Sequence, residues 1–243
     1  EGLALSSLDL NGSSHYIDIR NSLQAALRTS HSISAWIKLD DGTPSTEDAI
    51  WGANNSDTSD RSLFYVGTGG KLTYLYEADD TSRYAEEATA SFVNGANPWK
   101  HVVATMLYNA ADSATMKVYV DGIEQTLGAA TADGVYGGDM GDYTSSSYVH
   151  WGAENNAAGS EQYYLEGGMR DLRFYDYALS ADQAASLYSG AYNVTPLHWW
   201  KIDEGTGGAS NDLSYSGTGT DTSADQKDAT WVNGTLDLDS TLT

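Results

Sequence analysis

Cysteine is absent from the 243 residues, and Lys and Arg together number only 12 against 34 Asp and Glu, a formal charge of −22. Without cysteine there is no disulfide scaffold, no thiolate zinc site and no cysteine nucleophile. With so few cations the chain repels phosphate backbones and anionic lipid, which excludes nucleic acid as a partner and docking on acidic membranes. No apolar run approaches the roughly 18 residues that span a bilayer, so no membrane insertion is expected. Proline is scarce, and Pro44, Pro98 and Pro196 sit in loops or just before strands, where a lost N–H is tolerated. The opening Glu1-Gly2-Leu3-Ala4 has neither the basic start nor the apolar stretch of a signal peptide, and no initiating Met, as expected of a processed or excised product.

Packing material is plentiful. Hydrophobic residues make up 40% of the chain, with 17 Tyr and 7 Trp, which is too much for a disordered protein and enough for one large all-β domain. Short period-two segments separated by Gly, Asn, Asp and Ser dominate. In 32–39, Ile33, Ala35, Ile37 and Leu39 share one face; in 115–120, Met116, Val118 and Val120 do. Asp121-Gly122 follows, the strongest short hairpin signal. Similar runs at 3–10, 16–19, 49–52, 62–66, 72–77, 99–108, 148–152, 169–175, 197–202 and 229–238 bring the total to about a dozen strands, at the spacing of a sandwich or jelly roll. Helix is confined to 180–188, with Ser180 as N-cap and Gly190 as stop, and to one turn within 21–28. The stretch 205–227, rich in Gly, Ser, Thr and Asp, reads as a long loop.

Several of these runs carry a family resemblance. Trp99-Lys100-His101-Val102-Val103-Ala104-Thr105, the hairpin Val118-Tyr119-Val120-Asp121-Gly122, and Met169-Arg170-Asp171-Leu172-Arg173-Phe174-Tyr175 with its following helix resemble strands of the laminin-G-like, concanavalin A-type jelly-roll family. Leu8-Asp9-Leu10-Asn11-Gly12 and Tyr16-Ile17-Asp18-Ile19 resemble its earlier strands, in the family's order. The resemblance implies an all-β, antiparallel two-sheet jelly-roll sandwich. Near the other end, His198-Trp199-Trp200-Lys201-Ile202-Asp203-Glu204-Gly205 and Asp228-Ala229-Thr230-Trp231 resemble strands that in the family come first. Three arrangements fit: one permuted domain over 1–243 with 197–243 supplying the family's first strands, a jelly roll over 1–190 followed by a tandem-repeat segment in 191–243, or strand exchange with a neighbouring subunit. The first leaves no sheet edge exposed and is favoured.

Pentraxins share this architecture, and Gly152-Ala153-Glu154-Asn155-Asn156 with Glu161-Gln162 resembles their calcium loop. The pentraxin acid–amide pair then falls on Glu47-Asp48. Calcium takes six to eight oxygens from carboxylates and amides on loops. Glu47, Asp48, Glu154, Asn155, Asn156 and Glu161 are therefore the candidate ligands, and calcium the expected cofactor. The plain alternative is that an acidic chain has acids in most loops and that Asn suits turns. The acidic runs 54–60 and 221–228 lack the EF-hand Gly and Glu and read as solvated loops.

Tyrosines offer a second kind of site. Tyr74, Tyr76, Tyr163 and Tyr164, with Tyr65 and Tyr84, are candidates to stack on sugar faces, although tyrosine also suits half-buried strands. Trp36, Trp51, Trp99 and Trp151 read as strand packing. Catalysis has little support: the retaining-glucanase strand needs two carboxylates about 5 Å apart on one face, and no such string occurs, nor any hydrolase or nucleotide motif. His15, His31, His101, His150 and His198 are scattered singly and read as structural. Asn11, Asn54, Asn193 and Asn233 head sequons that matter only in a glycosylating host. The expectation is a non-enzymatic recognition or adhesion module at an extracellular, cell or virion surface, binding glycans or surface ligands. The alternative is a structural subunit, such as a virion decoration, shell or filament protein, that forms homo-oligomers through 197–243.

Overall fold

A computed structural model describes residues 6–19, 23–55, 60–78, 81–109, 113–128, 148–156, 160–191, 194–200, 202, 218–219, 229–232 and 235–238. The acidic runs 56–59 and 221–228, most of the loop 205–227, and Asn193 and Asn233 lie outside them. In chain order the elements are β1 (Ser6–Asn11), β2 (Tyr16–Asp18), α1 (Gln24–Leu27), β3 (His31–Leu39), β4 (Asp48–Asn54), β5 (Arg61–Val66) and β6 (Leu72–Ala78). Then come β7 (Thr81–Glu86), β8 (Lys100–Asn109), β9 (Ser113–Val120), β10 (Ile123–Glu124), β11 (Tyr148–Trp151), β12 (Glu154–Asn155) and β13 (Glu161–Gln162). The last are β14 (Glu166–Tyr175), α2 (Ala181–Tyr188), β15 (His198–Trp200), β16 (Thr218–Gly219), β17 (Ala229–Val232) and β18 (Thr235–Leu238).

Two antiparallel sheets face each other, as an all-β jelly-roll sandwich requires. The first runs β10-β9-β8-β3-β14-β1-β18, with β15 also on β14; the second runs β16-β17-β2-β11-β4-β5-β6-β7. The alternation read from the sequence sets the inward faces. Ile33, Ala35, Ile37 and Leu39 of β3 and Val118 of β9 are fully buried against Ile17, Trp51, Phe64, Val149 and Trp151 of the opposite sheet. Each Ile, Leu, Val and Phe among them contributes about 1.5–3 kcal/mol by leaving water. Trp51, Trp151 and Trp200 continue edge to face through this core, with ring centroids 5.0 and 6.1 Å apart.

Trp36 and Trp99 depart from their expected place in the core. Both lie half-buried on the outer face of the first sheet, clasping the Arg170 guanidinium at 5.3 and 4.2 Å. The rest of that face is covered by α2, whose Ala184 and Leu187 bury against Val103, Tyr119 and Tyr175. The expected Ser180 N-cap is half of a capping box: Gln183 N–H donates to Ser180 Oγ at 3.3 Å and Ser180 N–H to Gln183 Oε1 at 2.8 Å.

The run 229–238 is two strands rather than one. β17 pairs with β2 in the second sheet, and β18 with β1 in the first, so the segment crosses from one sheet to the other beside the β1–β2 corner.

Candidate functional site

Period-two alternation on β2 and β11 sends Ile17, Val149 and Trp151 into the core and leaves Tyr16, Asp18, Tyr148 and His150 on the outer face of the second sheet. After Trp151 the chain must turn back over that face. Gly152 makes the turn at φ +76°, and a Cβ there would sit 2.3 Å from Leu10 Cδ1, so only glycine fits. The returning chain forms the ribbon β12–β13, with Glu154 opposite Gln162 and Asn155 opposite Glu161. It lies on β4 over Gly52, where a Cβ would come within 2.7 Å of Glu154 Cα. Asn156 closes the tip: its N–H donates to Ser160 O at 2.8 Å and its Oδ1 accepts from Ser160 N–H at 3.1 Å.

Beyond the ribbon, Tyr163 adopts φ +53°, a left-handed conformation that costs a non-glycine residue about 1 kcal/mol or more. Ala49 N–H donates to Tyr163 O at 2.8 Å and pins this link to β4. Tyrosine patches stand on both sides of the ribbon. On the β2–β11 side, Tyr16 lies 4.6 Å from the His150 ring and 6.3 Å from the Tyr164 ring, and Tyr148 lies 6.5 Å from His150. On the β5–β7 side, Tyr65 and Tyr163 pack over a small apolar cluster of Ala49, Leu63 and Leu75, beside the exposed Tyr84.

Between the patches the chemistry is polar. Glu154 is wholly buried, a position that makes a carboxylate costly to ionise. Burial keeps its carboxyl above the usual range, and two neighbours work against that cost. Arg61 grips it through Nε and Nη2, the latter at 3.3 Å, and Gln162 Nε2 donates to it at 2.8 Å. Burial works against the Arg61 charge, but the Glu154 charge and hydrogen bond, with the charges of Tyr163 and Glu77, together hold the guanidinium above its usual range. Glu161 accepts from the Tyr16 hydroxyl and from Asn155 Nδ2, each at 3.2 Å. Burial, and then the Glu161 charge, push the Tyr16 and Tyr164 hydroxyls up, so both stay protonated donors. His150 Nε2 lies 3.7 Å from Asp18 Oδ1.

The expected calcium ligands are only partly brought together. Glu154, Asn155 and Glu161 meet in the ribbon, and Glu47 is near enough for its charge to act on Glu154. Asn156 spends its side-chain oxygen on Ser160. Asp48 turns away from the ribbon toward Glu166 and Asp41, because neighbouring strand residues face opposite ways. Among the described residues no three His, Cys, Asp or Glu stand together as a metal would require. Tyr74 and Tyr76, expected to offer rings to a sugar, are fully buried between the sheets. Their hydroxyls meet His31 Nε2 at 2.6 Å and donate to Leu27 O at 3.0 Å, partners that only the folded core supplies.

Tyr16, Tyr148 and Arg61 join the site without having been candidates, and Gln162, part of the expected calcium loop but not one of its ligands, joins as a donor. The first two carried a signal, since each precedes an inward residue of an alternating run. Arg61 carried none, because its partner is 93 residues away.

The profile of the Concanavalin A-like lectin/glucanases superfamily matches residues 11–185. No curated protein sequence matches. Among solved structures, the chain is similar to a heptameric SAP-like pentraxin from Limulus polyphemus, at 16% identity over 77% of this chain and 83% of that one, with TM-score 0.53. It is also similar to the CBM40 of a Ruminococcus gnavus IT-sialidase, solved with α2,3-sialyllactose, at 13% identity over 77% and 100% of the two chains, TM-score 0.56. A Bacteroides ovatus protein aligns over 98% of this chain and 61% of its own, at 15% identity and TM-score 0.56. At such identities the likeness is one of fold.

Proposed function

Because the chain belongs to the concanavalin A-like lectin/glucanases superfamily, we propose that it is a glycan-binding module without catalytic activity, displayed outside the cell or on a cell or virion surface. The observation that carries this reading is the pair of tyrosine patches flanking the β12–β13 ribbon on the outer face of the second sheet. A tyrosine ring covers the apolar C–H face of a sugar while its hydroxyl stays wet, and the adjoining Glu161, Asp18 and Glu47 accept hydrogen bonds from sugar hydroxyls. The same acids repel carboxylated sugars, so the ligand is a neutral glycan. That separates it from the sialyllactose found on the similar R. gnavus module. Among the described residues of this face, the buried acid Glu154 is tied to Arg61 and Gln162 rather than open to a substrate. A glycan array is expected to return neutral structures, and Tyr164→Ala to weaken the best of them about tenfold, the effect of losing one central aromatic contact. An array without neutral hits would end the proposal.

A second reading has its own observation. β16 and β17 close the second sheet beyond β2, and β18 closes the first beyond β1. The same backbone pairing can be made by a second copy, which would give self-assembly as the function. Ser7 and Asp237 are register partners, so in this cysteine-free chain Ser7→Cys with Asp237→Cys forms a single disulfide. Oligomer ladders on non-reducing gels are the expected outcome of exchange. Closed monomers alone would rule it out.

A further inference from the structure

The calcium expectation and the geometry at Glu154 disagree. We infer that Arg61 occupies the role of the metal ion in this site, so that the ribbon is held by a built-in cation and needs no calcium.

A calcium loop works by gathering carboxylate and amide oxygens that repel one another until a divalent ion fills the space between them. Here the central carboxylate already has a cation. Arg61 opens β5 directly opposite Asn54, the last residue of β4, and this register aims its side chain at the ribbon. The guanidinium meets both oxygens of Glu154, a two-point contact suited to a planar fork and always charged. Gln162 Nε2 takes a further lone pair of Glu154 Oε2. Tyr16 and Asn155 both take Glu161 Oε1, and Ser160 takes the Asn156 Oδ1. Two amide oxygens, Asn54 Oδ1 and Asn155 Oδ1, are buried without a hydrogen-bond donor. With Glu161 Oε2 and the nearby Glu47 carboxylate they still fall short of calcium's six to eight ligands. Without Arg61, Glu154 would be an uncompensated buried charge with only Gln162 as donor and the Glu47 charge nearby.

This predicts a gain of metal binding by substitution. Differential scanning calorimetry on the full chain, in calcium chloride and in EDTA, reads it directly, because an ion bound only by the native state raises Tm. The wild-type midpoint is expected to be the same in both. In Arg61→Met, which keeps the apolar stem but not the charge, about 10 mM calcium is expected to raise the midpoint by roughly 5 °C, and magnesium, which favours a rigid octahedral shell, by much less. If Arg61→Met is unfolded in EDTA, recovery of its unfolding transition in calcium reads the same exchange. A calcium-dependent rise of more than about 2 °C in the wild type would overturn the inference. So would an Arg61→Met chain, folded or not, that is indifferent to calcium. Neither result depends on whether the ligand of the face is a glycan.

Discussion

Replacing Asp48 with Asn is expected to stabilise the protein at pH 8 by about 2–4 kcal/mol and to change little at pH 4. Asp48 is 5% exposed, and its Oδ2 has no hydrogen-bond donor. Burial pushes its carboxyl from the usual 3.8 up to about 7; the Glu166 main-chain hydrogen bond opposes this, and the charges of Glu166 and Asp41 add to it. The sign follows from linkage. A carboxyl that is harder to ionise when folded contributes stability below pH 4, and that contribution is lost as pH rises through about 7. At pH 8 the folded chain therefore holds a charge that water would solvate better, and each tenfold weakening of the acid by folding costs about 1.4 kcal/mol. Asn keeps an oxygen for the Glu166 N–H and removes the charge. Urea unfolding at pH 4, 6 and 8 checks the difference. A variant less stable than wild type at pH 8 would mean that Asp48 is charged and paired, as a cation ligand would be.

Acid is expected to unfold the protein through two histidines that sit in place of core residues. His31 is fully buried on β3, stacked on Phe174 at 5.7 Å, with Nδ1 2.8 Å from Thr29 O and Nε2 2.6 Å from the Tyr74 hydroxyl. The carbonyl can only accept, so Nδ1 carries the proton and Nε2 accepts from the tyrosine. Tyr74 is also 3.2 Å from Ser62 Oγ, so a polar string crosses the core and ties the two sheets together. His101 lies on the outer face of the same sheet, under Trp36 and Tyr188, with Nε2 2.9 Å from Ser34 Oγ. Burial lowers His31 to about 4; burial, and then the Arg173 charge, lower His101 to about 3. Both groups fold in the neutral form, so their stability is complete above pH 6.5 and is lost as pH falls toward those values. Between pH 7 and pH 4 the loss is about 3 kcal/mol for each, a large share of a domain's stability. His31→Gln with His101→Gln, which retains polar atoms near both partners, is expected to lower stability at pH 7 and to flatten the decline toward pH 4. An unchanged slope would show that the decline comes from elsewhere. Asp48 acts in the opposite direction, and its gain on acidification offsets part of the histidines' loss.

The strands most easily read from the sequence are those with one apolar face. β3 and β9 announce themselves because a single register satisfies every apolar residue. β7 escapes such a reading: Thr81-Ser82-Arg83-Tyr84-Ala85-Glu86 has no such pattern, and it is a strand because β6 offers it an edge to pair with. The inward turn of Tyr74 and Tyr76 is hidden for the converse reason. Leu72, Tyr74 and Tyr76 alternate with Thr73 and Leu75, so both faces of β6 are apolar enough to be buried, and period two alone cannot choose between them. What decides is the hydroxyl partners, His31, Ser62 and Leu27, which are distant in sequence. The ribbon is legible as a loop of oxygens but not as a filled one, since the residue that fills it arrives on a different strand.

Ser6 of β1 lies directly across from Leu238 of β18, at the same end of an antiparallel pair. A pull exerted through the flanking chain on both sides therefore meets at one point, and it loads the cross-strand hydrogen bonds singly, from Ser6 toward Asp9, rather than all together in shear. The joint between these strands opens like a zipper. Under tension it yields first, as a mechanical fuse at the seam of the sandwich, while the β12–β13 ribbon, seated on β4, remains out of the line of force.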